Sequence, residues 1–192
     1  EKLNELNFNI ALFLAYDMSA EYEILPLIQA VCKELLVEYQ NFEYAQQKDL
    51  LKKFRKQNLP VIYIRHESLH GTFFNPNTDG VQIHHDIKPL DTETVIVKHE
   101  PNSFYETNLQ NKLVENEITE LVVCGMMTHM CIDTTIRAAK DYGYKITLIS
   151  DGCATKDLEW NGVTLPASLI QSTYMASLNQ KFANIKLGAE IF

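Results

Sequence analysis

Short apolar runs alternate with longer segments of mixed character along the chain. Runs of this length, bounded by polar residues, are typical of strands that are buried on both faces of a parallel sheet. They lie at residues 9–16, 61–64, 94–97, 121–124, 145–149 and 184–187. The pattern therefore predicts six strands.

Between these runs, apolar residues recur at the three- and four-residue spacing of helices. The predicted helices cover residues 27–39, 45–57, 110–115, 131–142 and 167–182. Alternation of strands and helices predicts right-handed βαβ crossovers, which give a mostly parallel six-stranded sheet with helices on both faces. No linker, repeat or low-complexity tract interrupts the alternation, so we expect one domain over residues 1–192.

Three side chains that could take part in catalysis, a carboxylate, an amine and a thiol, lie at or beyond the ends of predicted strands. Asp17 follows the first strand, Lys98 follows the third, and Cys131 lies beyond the fourth. Parallel strands place their carboxyl ends at one edge of the sheet, where open α/β sheets bind ligands. The three residues can therefore form one site. The alternatives are an Asp17 that caps a helix, or an Asp17–Lys98 ion pair beside an inert thiol.

Cys131 is predicted at a strand-turn-helix junction, near the first turn of the helix. A thiol there lies beside backbone N–H groups and the positive end of the helix dipole, which favours the reactive thiolate. A carboxylate such as Asp17 can accept the thiol proton, and the ammonium of Lys98 can stabilise the resulting anion. The alternative is a buried cysteine that packs as a small apolar residue.

Composition narrows the class of partner and the compartment. A formal net charge of −8 argues against a nucleic-acid surface, which needs clustered Lys and Arg. No apolar stretch approaches the length of a membrane span, and the start of the chain shows no signal-peptide pattern. The four cysteines form no CxxC pair. We therefore expect a cytoplasmic protein that binds a small molecule and neither nucleic acid nor membrane.

Residues 66–89 form a long segment with few periodic apolar positions, typical of a functional loop or lid. Phe73 and Phe74 near its centre are either core residues or pocket walls. The segment also holds four of the six histidines, without an HExxH motif or a tight carboxylate–histidine cluster. We expect no bound metal. The four histidines are His66, His70, His84 and His85.

Three blocks of the sequence resemble the isochorismatase-like cysteine hydrolase superfamily. The most specific is GMMTHMCIDTTIRAAKDYGY at residues 125–144, followed by ISDGCAT at 149–155. Lys98 with the SFYETNL segment at 103–109 is similar to the second block. Asp17-Met18 resembles the first, although Ser19 stands where a glutamine or asparagine is usual.

The resemblance implies a three-layer α/β/α, Rossmann-like fold and a catalytic triad of Asp17, Lys98 and Cys131. It also implies a cis peptide bond between Met126 and Met127, and an oxyanion hole formed by the N–H groups of Met127 and Cys131. The thiolate would attack a carbonyl or nitrile-like carbon and form a thioacyl enzyme without a cofactor. Family members commonly form dimers or tetramers, so a homo-oligomer is expected.

The resemblance also narrows the substrate class. Members that hydrolyse the vinyl ether of isochorismate lack the cysteine, so Cys131 favours amide-type hydrolysis. Nicotinamidases carry a metal-binding Asp-x-His pattern after the second strand, where this chain reads RHES at 65–68. The favoured substrate is therefore a small amide, ureido or carbamoyl compound. Candidates for contact with it are Tyr22, Phe73, Asn102 and His129, with Phe74 and Trp160 as further pocket candidates.

Two other functions remain open at this point. One is a catalytically silent or partner-binding member of the same fold, and the other is an isochorismatase-type hydrolase of a different small molecule. A nucleotide-binding Rossmann protein is disfavoured, because no GxGxxG follows the first strand.

Overall fold

The computed structural model describes residues 46–69, 74–76, 78 and 81–191, and the backbone of 10–16. Its strands form a six-stranded sheet and a small hairpin. The strands are β1 (Ile10–Tyr16), β2 (Val61–His66), β3 (Thr94–Lys98), β4 (Glu120–Met126), β5 (Lys145–Ala154), β6 (Leu158–Trp160), β7 (Val163–Leu165) and β8 (Asn184–Lys186). All six predicted strands are present.

Helices connect the strands of the sheet. They are α1 (46–56), α2 (Leu109–Glu115), α3 (Asp133–Asp141) and α4 (Ala167–Leu178), with short 3-10 turns at His85–Ile87 and Gly188–Glu190. The predicted helix at 27–39 lies outside the described residues. No helix in the described part of the chain combines the length and apolarity that a membrane span needs.

The core follows the apolar runs of the sequence. Residues 61–64 of β2 and 121–124 of β4 are buried without interruption, as expected for strands covered on both faces. Leu50, Leu51 and Phe54 of α1 are at most 1% exposed and belong to the same core. Continuous burial explains why these runs lack the alternation of a half-exposed strand.

The large sheet has the strand order β3-β2-β1-β4-β5-β8, and every neighbouring pair is parallel. The chain proceeds outwards from β1 to β3 on one side, then crosses back to β4 on the other. This doubly wound order confirms the predicted α/β fold, and it creates a topological switch point between β1 and β4. A crevice at the carboxyl ends of these two strands is where such folds bind ligands.

Two predicted element ends were wrong by at least four residues. The fifth strand does not end at Ile149 but continues to Ala154, with a register shift against β4 between Val123 and Gly125. Gly152 permits this, because a Cβ there would lie 3.0 Å from the Cβ of Cys124. The last long helix ends at Leu178 rather than at residue 182. The β6–β7 hairpin was not predicted.

Candidate active site

Lys98 is the last residue of β3 and has only 1% of its surface exposed. Its ammonium donates hydrogen bonds to the carbonyl oxygens of Glu100, at 3.0 Å, and Pro101, at 2.8 Å. Burial of a charged group is costly unless hydrogen bonds compensate for lost water, and these two carbonyls do so. Lys98 is therefore a fixed cation at the carboxyl edge of the sheet, and not a solvated surface charge.

The segment that follows Lys98 is attached to the helix that follows Cys131. The Thr135 hydroxyl accepts a hydrogen bond from the Ser103 backbone N–H at 3.1 Å and lies 2.9 Å from the Ser103 hydroxyl. It also lies 3.4 Å from the Pro101 carbonyl that binds Lys98. Thr135 comes one helical turn after Cys131. Lys98 and the Cys131 element are thus connected through Pro101 and Thr135.

Cys131 lies in a π-helical turn at Thr128–Ile132, and its side chain is buried, with 3% exposed. The predicted α-helix does not begin at Cys131; α3 begins at Asp133. The carbonyl of Met127 accepts hydrogen bonds from the N–H groups of Met130 and Ile132, which closes the turn. π-Helical turns are rare and occur frequently at functional sites. The Met126–Met127 peptide bond is cis, in agreement with the expectation from the resemblance.

A partly buried amide supports this turn from the other side. The Thr128 hydroxyl lies 2.6 Å from Gln171 Oε1 and 3.0 Å from the carbonyl of Ala154, and shares its proton between them. The Gln171 side-chain NH₂ donates to the carbonyls of Ser150, at 3.1 Å, and Cys153, at 3.3 Å. Gln171 of α4 thereby joins β5 to the Cys131 turn. Sequence analysis missed it, because a glutamine at a helical position gives no separate signal.

Cys124 provides a contrast to Cys131. It lies inside β4 with none of its surface exposed, and burial raises the pKa of its thiol well above the ordinary value, with smaller contributions from Cys153 and Asp151. A thiol in this environment stays protonated and inert. Cys131 instead lies beyond the strand, at the edge that also carries Lys98.

The structure places two of the predicted substrate-contact residues near these elements. The Asn102 side-chain oxygen accepts a hydrogen bond from the Phe104 N–H at 3.0 Å, so it shapes the segment after Lys98. His129 lies in the Cys131 turn, with Nδ1 hydrogen-bonded to the Thr155 hydroxyl. Burial, and secondarily Lys156, lowers the pKa of His129.

Of the remaining predicted site residues, some are described by the structure and some lie outside it. Phe74 packs its ring against His66, whereas Trp160 is 71% exposed on β6. Three predicted residues lie outside the described part of the chain, namely Asp17, Tyr22 and Phe73. In the sequence, Asp17 directly follows β1, one of the two strands at the switch point.

One group of possible metal ligands occurs among the described residues. The ligand atoms of His84, His85 and Asp86 lie within 4.8 Å of one another. The Asp86 carboxylate is 2.9 Å from the ammonium of Lys48, and His84 Nδ1 accepts a hydrogen bond from the Asp86 backbone N–H at 3.3 Å. The one carboxylate of this group is thus already paired with a cation, so the arrangement does not favour a metal centre.

Comparison with known proteins identifies the family to which this chain belongs. The family model described as "Isochorismatase domain" matches residues 43–176, well over half of the chain. The chain belongs to the isochorismatase family. This match confirms the family that the sequence resembles, and it confirms that the protein is a hydrolase.

Individual members of the isochorismatase family support the assignment. The uncharacterised isochorismatase family protein YddQ of Bacillus subtilis is 48% identical over 139 residues, which cover 71% of this chain and 77% of YddQ. A streptothricin hydrolase of Streptomyces noursei is 31% identical over 75% of this chain and 55% of its own length. A crystal structure of a putative isochorismatase hydrolase from Oleispira antarctica superposes with a TM-score of 0.85, at 36% identity and 97% coverage of both chains.

Proposed function

We propose that this isochorismatase-family hydrolase cleaves a C–N bond in a small amide, ureido or carbamoyl compound, with Cys131 as the nucleophile. The observation that carries the proposal is the link between Lys98 and the helix that directly follows the Cys131 turn, through Pro101 and Thr135, at the ligand-binding edge of the sheet. A buried ammonium fixed beside this edge can stabilise a thiolate. The streptothricin hydrolase shows that a relative of this chain hydrolyses one small molecule.

The reaction consists of two half-reactions on a small-molecule substrate. Asp17 accepts the proton of the Cys131 thiol, and the sulfur attacks the carbonyl carbon. The N–H groups of Met127 and Cys131 stabilise the oxyanion. The C–N bond breaks, the nitrogen leaves with the proton held by Asp17, and a thioacyl enzyme remains. Water, deprotonated by Asp17, then attacks the thioester, the acid departs, and the proton returns to the thiolate. No cofactor takes part in this reaction. The cytoplasmic location of the protein stays a prediction from the sequence.

The experiment is a screen for ammonia release from primary amides, ureas and N-carbamoyl amino acids. We expect the wild-type protein to hydrolyse at least one of them, and Cys131→Ala to abolish its turnover. Cys32→Ala, which removes another of the four thiols, is the control that keeps the activity. Far-UV circular dichroism of both variants verifies the fold. Absence of hydrolysis across the screen would instead favour the catalytically silent or partner-binding alternative.

A further inference from the structure

His66 occupies a position beside the candidate catalytic residues that the proposed mechanism does not use. It is the last residue of β2 and the register partner of Lys98 on β3. Its side chain is partly buried, and its ring packs against Phe74 with centroids 4.9 Å apart. His66 thus lies at the same carboxyl edge of the sheet, one strand away from β1 and its following residue Asp17.

The polar groups around His66 are bonded to one another and not to its ring. The Glu67 N–H donates to the Lys98 carbonyl at 2.9 Å, and His99 Nδ1 lies 2.7 Å from the Glu67 carbonyl. The Glu67 carboxylate pairs with Arg65. Across the described part of the chain, the ring nitrogens of His66 have no hydrogen-bond partner. A partly buried imidazole with unused hydrogen-bonding capacity at a ligand-binding edge is suited to contact a ligand.

The local environment determines which form of His66 is present. Burial, followed by electrostatic interactions with Lys98 and His99, lowers its pKa from 6.5 to about 4. The ring is therefore uncharged at neutral pH, with one N–H donor and one bare nitrogen acceptor. It can form hydrogen bonds but no ion pair, and Lys98 beside it disfavours a substrate cation.

We propose that His66 determines substrate specificity, by forming a hydrogen bond to an uncharged polar or anionic group of the substrate next to the carbonyl that Cys131 attacks. This inference rests on the proposed function. A hydrogen bond from His66 disfavours substrates in which the group next to the attacked carbonyl is apolar or cationic. An amide, ureido, hydroxyl or carboxylate group in that position fits.

Three variants test the inference on an amide that the wild-type protein hydrolyses in the screen. His66→Phe keeps an aromatic ring against Phe74 and removes both nitrogens, whereas His66→Asn restores one donor and one acceptor. His85→Asn is the matched control, because the His85 side chain is 82% exposed. The readouts are kcat, KM, the melting temperature, and the rate at which methyl methanethiosulfonate, a thiol reagent without an amide, modifies Cys131.

We expect His66→Phe to raise KM about 10-fold, the effect of losing one hydrogen bond to the substrate, and His66→Asn to recover part of this loss. The Cys131 modification rate and the melting temperature should stay near the wild-type values, as they should in His85→Asn. An unchanged KM in His66→Phe overturns the inference while the proposed function stands. A fall in the Cys131 modification rate as large as the rise in KM also overturns it, because His66 would then act on the thiol and not on the substrate. If the wild-type protein hydrolyses nothing in the screen, the proposed function and this inference fall together.

Discussion

At the scale of single residues, Lys98 combines a positive charge with almost complete burial, and its two carbonyl partners make that combination possible. We predict that Lys98→Met lowers turnover at least ~100-fold, because the thiolate and the oxyanion lose the cation beside them. The free energy of unfolding should change by less than about 2 kcal/mol, since relief of a buried charge opposes the loss of two hydrogen bonds.

Ammonia release and urea unfolding measure the two effects on Lys98→Met separately. Lys112→Met is the control, because Lys112 forms an exposed ion pair with Glu115. Turnover within 10-fold of the wild-type rate in Lys98→Met would mean that Lys98 has a structural role only.

His66 also makes the stability of the fold depend on pH. The unfolded chain binds a proton at this residue near pH 6.5, whereas the folded protein does so only near pH 4. Between these values the unfolded state holds more protons, so the contribution of neutral His66 is lost as pH falls from 6.5 towards 4.

We predict that the wild-type protein loses about 1 kcal/mol more unfolding free energy than His66→Phe between pH 7 and pH 5, a value reduced for partial solvent screening. Urea unfolding of both proteins at the two pH values measures this difference. Equal losses in the two proteins would show that His66 titrates normally in the folded state.

The sequence indicated the candidate catalytic residues, but not their supporting contacts. The rule that parallel strands end at one edge was sufficient to select Lys98 and Cys131. The partners of Ser103 and Gln171 lie 32 and 43 residues away along the chain, at Thr135 and Thr128. Such contacts depend on tertiary packing, and neither helical periodicity nor residue type reveals them.

At the scale of elements, the turn that carries Cys131 differs from the predicted helix start. Apolar spacing correctly indicated a helix, but spacing cannot distinguish a π-helical turn over Thr128–Ile132 from an early α-helical turn. The regular helix then begins at Asp133, whose carboxylate pairs with Arg137 one turn later. The fifth strand was predicted too short for a related reason. Asp151-Gly152 is typical of a turn, although here Gly152 allows close strand packing.

The Ser103–Thr135 contact joins two of these elements and can be tested alone. We predict that Thr135→Val, which keeps the side-chain shape, costs about 1–3 kcal/mol of unfolding free energy, because the Ser103 N–H is left buried without an acceptor. Thr173→Val is the control, since the hydroxyl of Thr173 is exposed and bonds the Leu169 carbonyl in its own helix. Urea unfolding compares the two. Equal costs would show that the contact does not stabilise the site.

At the scale of the whole molecule, the alternation of strands and helices was sufficient to predict the parallel sheet. It did not specify the strand order, because pairing of β1 with β4 depends on how the crossovers pack and not on either strand's own sequence. The order matters for function, since it creates the switch point at the carboxyl ends of these strands. The position of Asp17 stays a prediction from the sequence.

The resemblance further predicts a dimer or tetramer. Sedimentation velocity at micromolar concentration should give a mass two or four times that of the 192-residue chain. A sharp boundary at the mass of one chain, unchanged on tenfold concentration, would contradict the prediction.

The proposed mechanism requires a covalent acyl intermediate on Cys131. Acid quenching of the protein during turnover of a hydrolysed amide, followed by protease digestion and mass spectrometry, tests it most directly. We predict that tandem mass spectrometry places the acyl group on Cys131 and not on Cys124 within the tryptic peptide 113–137 that contains both, and that the peptide containing Cys153 gains no mass. Turnover that continues in Cys131→Ala, or a quenched enzyme in which another residue and not Cys131 carries the acyl group, would contradict this mechanism.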